Sequence, residues 1–232
     1  MSFWQVTMKR SVRLSRSYFV IGIVTTLYGI ILSNIMSIIP ADSANPAPID
    51  LSNNFPILSV AILSLSGLLF SLPVVMLFVY DKNNGVLEYL LSTGLDQLDI
   101  FKGYVKASLT LATYLLVFAV IFNTAIGFIL GTSLSLLASM AVLTFVIGIS
   151  EVFLVTVCMM AFSSLQKTPM GANQPLGVVI GIIPMFPALI LPLAFPAYAI
   201  VIDLLIAVIT LLVSFVLLLS IGRLILREKL LP

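Results

Sequence analysis

Two groups of residues in this chain could do chemistry. The first is a pair of acids, Glu151 and Asp203, each set inside a long apolar run. The second is a polar stretch, residues 81–103, which separates two such runs and, together with Lys106, holds seven of the charged residues: Asp81, Lys82, Glu88, Asp96, Asp99, Lys102 and Lys106. An acid within an apolar run can serve as an ion or proton ligand, a hydrogen-bonding contact between helices, or part of a solute path. Hydrolytic and metal chemistry lack their usual partners here. The chain has no histidine and a single cysteine, Cys158, itself in an apolar run, which excludes Ser-His nucleophiles, His/Cys metal sites and disulfide frameworks. Cys158 reads as an inert core thiol. The formal charge of +2 is too small to point to a nucleic acid. No Gly-x-x-x-x-Gly-Lys-[Ser/Thr] loop occurs, so no cofactor is expected in this chain and any nucleotide hydrolysis must take place elsewhere.

The elements that carry these residues follow from composition. With 61% hydrophobic residues, 9% charged residues and a mean hydropathy of +1.23, the surface cannot be covered with polar groups, and the bilayer is the expected solvent. The expected fold is an all-α integral membrane protein forming a single transmembrane domain over residues 1–232. Residues 1–17 read as an amphipathic helix: Phe3, Trp4, Met8, Val12 and Leu14 share one half of the wheel, and Lys9, Arg10, Arg13 and Arg16 the other. Such a helix lies in the headgroup plane with Trp4 as its aromatic anchor; the alternative is a basic tail that only sets orientation.

Six spans are expected, at 18–39, 57–80, 104–130, 134–162, 176–195 and 200–221. The first covers roughly 33 Å at the helical rise. No small-residue cleavage pattern follows it, so it reads as a retained anchor. Residues 40–56 form a turn-rich loop with acids and no base. Gly131, Thr132 and Ser133 make a tight link, and residues 166–175 join the fourth and fifth spans. Pro184, Pro187 and Pro192 interrupt the fifth, which is expected to be kinked or broken and in part re-entrant.

Charge tests this layout. Six spans place both termini on one side, and all eleven Lys and Arg residues then share it: Lys9, Arg10, Arg13 and Arg16; Lys82, Lys102 and Lys106; Lys167; Arg223, Arg227 and Lys229. By the positive-inside rule these segments are cytoplasmic, giving a multi-pass plasma-membrane protein with both ends inside.

Within 81–103, Asn83 or Asn84 is a good helix N-cap, and Val86, Leu87, Leu90 and Leu91 fall on one face with Glu88 and Ser92 opposite. Gly94 is placed to stop that helix in a left-handed turn. Asp96, with Asp99 at the N3 position, then caps a second helix running through Phe101 and Lys102 into the third span. The apolar stripe has two readings: a surface for a partner, or a face resting on lipid.

Gly85-Val86-Leu87-Glu88-Tyr89-Leu90-Leu91-Ser92, some ten residues before Ile100-Phe101-Lys102-Gly103, resembles the Gly-Thr-Leu-Glu-x-Leu-Leu and Ile-x-x-Gly-Lys pattern of permease subunits in the type-two ABC exporter family. The chain is similar to them along its whole length, with an amphipathic N-terminal helix, six spans and a coupling helix between spans two and three. Val86 stands for the usual Thr, Gly94 for a frequent Pro, and Lys102-Gly103 reverses Gly-Lys; the connection near Phe195-Pro196-Ala197-Tyr198 is shorter than the family's extracellular hairpin. The resemblance implies a coupling helix of Gly85, Val86, Leu87, Glu88, Leu90, Leu91 and Gly94 that docks a separate ABC ATPase subunit carrying ATP and Mg. It also implies a second permease, identical or related, and a transport path between the two.

Glu151 lies near mid-membrane without a basic partner in any span. It is expected to be protonated, hydrogen-bonded to Ser or Thr neighbours, or facing an aqueous cavity, as a structural contact or as part of the substrate path. Asp203, only a few residues into the sixth span, is either placed with it on the path or within reach of the outer headgroups. The alternative function is an ion-coupled secondary transporter or channel subunit using Glu151. An intramembrane enzyme and a scaffold without a transport role rank behind both.

Overall fold

The computed structural model describes residues 2–14, 16–36, 51–161, 190–191, 194–195 and 198–224. Every element among them is a helix: α1 (Phe3–Leu14), α2 (Arg16–Met36), α3 (Leu51–Asn83), α4 (Val86–Ser92), α5 (Gln97–Ile129), α6 (Leu134–Ala161) and α7 (Ala199–Leu224). Four stretches are long and apolar enough to cross a membrane: Ile62–Asn83 of α3, Gln97–Ile129, Leu134–Cys158 of α6 and Ala199–Leu217 of α7. Phe3–Leu14 and Arg16–Ile31, bent by 83° at their junction, pass the same test only as a pair. The protein is therefore an all-α protein with four such helices among the described residues, or five if the bent pair forms one broken span. Nearly all of the expected 176–195 span, and the 166–175 connection, lie outside the described residues.

Two boundaries differ from the expectation. Leu51 to Pro56, read as loop, are the first two turns of α3. Their Asn and Pro residues are turn formers, yet the helix includes them, and Pro56, in its second turn, leaves it one ladder bond short. At the other end α3 runs on through Asp81 to Asn83, so the polar segment begins as an extension of a spanning helix.

α3 is the hub, packing against α2, α5 and α6, while α7 packs mainly on α6. Close approach depends on small residues, as it must between helices in lipid. Leu116 of α5, fully buried, sits between Gly67 of α3 and Gly148 of α6; a Cβ on either glycine would come within 2.9 Å of the Leu116 side chain. Polar contacts join the same helices. The Ser108 and Thr156 hydroxyls are 2.9 Å apart between α5 and α6, Asn34 Nδ2 donates to Asn123 Oδ1 at 3.0 Å between α2 and α5, and Ser214 Oγ of α7 donates to the Ser150 carbonyl of α6 at 3.1 Å. The largest apolar cluster lies at the basic end of the bundle, where Val74, Leu77 and Phe78 of α3, Leu87 of α4, Ile100, Phe101 and Tyr104 of α5, and Val157 and Met160 of α6 pack together.

Candidate functional site

The polar segment folds as a helix held between two left-handed glycines. Gly85 has φ +71° and Gly94 φ +87°, a region where a Cβ would crowd the backbone. Gly94 thus stops α4 as its position in the sequence requires. The start differs from the expectation: Gly85, not Asn83 or Asn84, occupies the N-cap position, without a side-chain cap, and Asn84 donates back to the Tyr80 carbonyl at 2.7 Å. The last turn is closed locally, Ser92 Oγ donating to Tyr89 O and Thr93 Oγ1 to Leu90 O, each at 2.7 Å. Asp96 is the N-cap residue of α5 but makes no side-chain capping bond; the Asp99 and Ile100 amides donate instead to its carbonyl.

The apolar face of α4 is turned inward. Leu87 is buried, and Leu90 and Leu91 pack half-buried against the cluster shared by α3, α5 and α6; Val86 is also half-buried. The stripe therefore fastens α4 to its own bundle. What faces outward is Glu88, Tyr89, Ser92 and Thr93, with Tyr89 67% exposed. This distinction was not readable from the sequence, because a stripe of four apolar residues looks the same whether its partner is the protein, another chain or lipid.

A second constellation lies beside it. Arg10 of α1 reaches Asp81 at the end of α3 with two bonds, Nη2 to Oδ1 at 2.7 Å and Nη1 to Oδ2 at 3.0 Å. The Tyr104 hydroxyl of α5 donates to the same Oδ2 at 2.5 Å. Asp81 and Tyr104 are fully buried. The Phe3 and Phe78 rings meet Tyr104 edge-on, with centroids 5.7 and 5.2 Å away, the geometry aromatic quadrupoles favour. Above them the Lys106 ammonium lies 5.0 Å from the centre of the Trp4 ring, a cation–π contact. One carboxylate thus joins the N-terminal helix to the two helices that flank α4.

This clamp turns one base of α1 inward, Arg10, which the helical wheel places with the outward-facing ones. Its protein-facing side is Phe3, Thr7, Met8, Arg10 and Ser11, of which Thr7 and Ser11 are buried, while Val12 and Leu14 of the apolar half are exposed along with Val6, as on a helix whose apolar half is open to lipid. Thr7 and Ser11 satisfy their hydroxyls on their own helix, on Phe3 O and Met8 O, so they pack as small residues. Hydropathy alone sorts Arg10 with the solvent-facing bases; only the acid 71 positions away draws it inward, and no local pattern reports that pairing.

Glu151 and Asp203 are both fully buried, and the structure does not bring them together. Ser214 of α7 is level with Ser150 of α6, which leaves Asp203 roughly 16 Å further along α7. All four carboxylate oxygens lack a hydrogen-bond partner among the described residues. The Ser64 side chain of α3, also buried, faces Glu151 without closing a hydrogen bond of good geometry in this conformation. Among the described residues no three His, Cys, Asp or Glu side chains are grouped to hold a metal ion. Comparison with protein-family models, with curated proteins and with solved structures found no match to this chain.

Proposed function

We propose that this chain is the permease subunit of an ATP-driven exporter, with six spans, both termini cytoplasmic, and α4 as the helix on which a separate ABC ATPase subunit acts. A second permease, identical or related, would complete the translocation path. The observation that supports this most is the build of α4: a seven-residue helix bracketed by left-handed glycines at the basic end of the bundle, fixed inside by Leu87 and exposing Glu88 and Tyr89. A loop that only joins two spans has no need of a helix fixed on one face and open on the other. Because Leu87 belongs to a core shared with α3, α5 and α6, force on α4 would pass to three long helices at once.

The test is a photocrosslinker in place of Tyr89, in cells that express the whole chain. The expected product is a crosslink to a subunit that binds and hydrolyses ATP, abolished by Glu88→Lys on the same face. Cargo movement by the purified chain alone, driven by an ion gradient and indifferent to nucleotide, would overturn the reading, as would labelling of Tyr89 from outside the cell. A second reading has its own support: the two unpartnered oxygens of Glu151 suit an ion-coupled secondary transporter. It takes over if Glu151→Gln abolishes gradient-dependent uptake while the Tyr89 crosslink is absent.

A further inference from the structure

The flank of α5 next to the clamp carries a groove of about 550 Å³, within the roughly 300–1,000 Å³ range of ligand sites. Its body is apolar, formed by Phe101, Val105 and Leu109 of α5 and Phe153 of α6, and its mouth carries Lys102 and Lys106, one turn apart on the same helix face. Lys102 is exposed and makes no ion pair or hydrogen bond among the described residues. Lys106 is held at the mouth over the Trp4 ring, which leaves its charge uncancelled. From Lys102 the groove runs down α5 as far as Tyr114, about 18 Å along the helix.

Two uncancelled ammonium groups at one end and an apolar trough at the other match an amphiphile with an anionic head. A soluble anion would leave the trough unused, and a zwitterionic lipid would set its own cation against Lys102 and Lys106. We propose that this groove binds one anionic phospholipid from the leaflet at the basic end of the bundle, its phosphate on Lys102 and Lys106 and an acyl chain along Val105 and Leu109. The lipid would also lie against Trp4, so that its occupancy would help hold α1 against the bundle. This inference requires only that α5 enter the membrane by its N-terminal end; it is independent of any ATPase partner.

The experiment is native mass spectrometry of the purified full chain, titrated with phosphatidylglycerol, phosphatidylcholine or glycerol phosphate. The expected result is one tightly retained phosphatidylglycerol. Each lysine should contribute about fivefold in retention, so Lys102→Ala with Lys106→Ala loses about 25-fold. Thr113→Trp, which fills the groove and leaves both lysines in place, should lose retention as well. Lys9→Ala with Arg13→Ala, which removes two exposed bases from α1 away from the groove, should keep it. Equal retention of phosphatidylcholine, unchanged retention in the lysine double variant, or retention in Thr113→Trp would each overturn the proposal. Binding of glycerol phosphate as tight as that of the lipid would assign the lysines to a soluble anion instead.

Discussion

Replacing Arg10 by Met should loosen the N-terminal helix more than replacing Asp81 by Asn, although both changes delete the same ion pair. The asymmetry comes from burial: the Asp81 side chain is fully buried, whereas that of Arg10 keeps 39% of its surface exposed. Without the guanidinium, the Asp81 carboxylate loses two of its three hydrogen bonds and stays in the core, a loss of about 3–5 kcal/mol for a broken buried pair. In the Asp81→Asn variant the guanidinium can turn to water and the new amide oxygen can still accept from Tyr104, so the loss falls to about 1–2 kcal/mol. The difference of about 2 kcal/mol corresponds to roughly a 30-fold difference in the fraction of protein with α1 detached. Trp4, the single tryptophan of the chain, sits on α1 under Lys106 and reports that fraction directly. Acrylamide quenching of its fluorescence, in purified protein in detergent, should rise from the natural chain to Asp81→Asn to Arg10→Met. The double variant should fall below Arg10→Met, because no uncompensated carboxylate remains. Quenching in Arg10→Met equal to that of the natural chain, or a reversed order of the two single variants, would refute the clamp as described.

Three other outcomes follow from the packing. Leu87→Ala should destabilise the purified protein by about 2–5 kcal/mol as a buried-core truncation, whereas Tyr89→Ala on the outer face should stay within about 0.5 kcal/mol; thermal unfolding in detergent compares them. Gly94→Ala should cost about 1–2 kcal/mol for a left-handed residue bearing a Cβ, with Gly94→Asn costing less, and hydrogen exchange at the 92–96 amides should be raised more by the alanine than by the asparagine. Leu116→Ala should open a cavity between Gly67 and Gly148 at a cost of about 2–5 kcal/mol, read as a lower midpoint of thermal aggregation; an unchanged midpoint would mean that the three helices do not meet at this side chain.

The sequence exposes what hydropathy and backbone geometry control. The long apolar helices, the stop at Gly94 and the turn at Gly131, whose φ is +83°, are legible because each follows from a local run or a single residue type. What stays hidden depends on pairs distant in the chain. Arg10 reads as a solvent-facing base until Asp81 is known to lie beside it, and Lys106 and Trp4, far apart in sequence, meet only once α1 has folded back along α5. The inner stripe of α4 shows which residues share a face and gives no clue to what that face meets. Glu151 is legible as an acid in an apolar run; that the Ser64 side chain faces it is a consequence of helix packing that spacing does not encode.

The lengths of α3 and α5 have a mechanical consequence. Each has 33 residues, about 50 Å of rod against a hydrocarbon layer of about 30 Å, so each must project well beyond the slab it pierces or lean within it. Rods longer than the slab behave as seesaws. If the slab acts as the fulcrum, a sideways shove where α4 bridges them swings their far tips the opposite way, and the two rims of the protein exchange movement without any rearrangement in the middle.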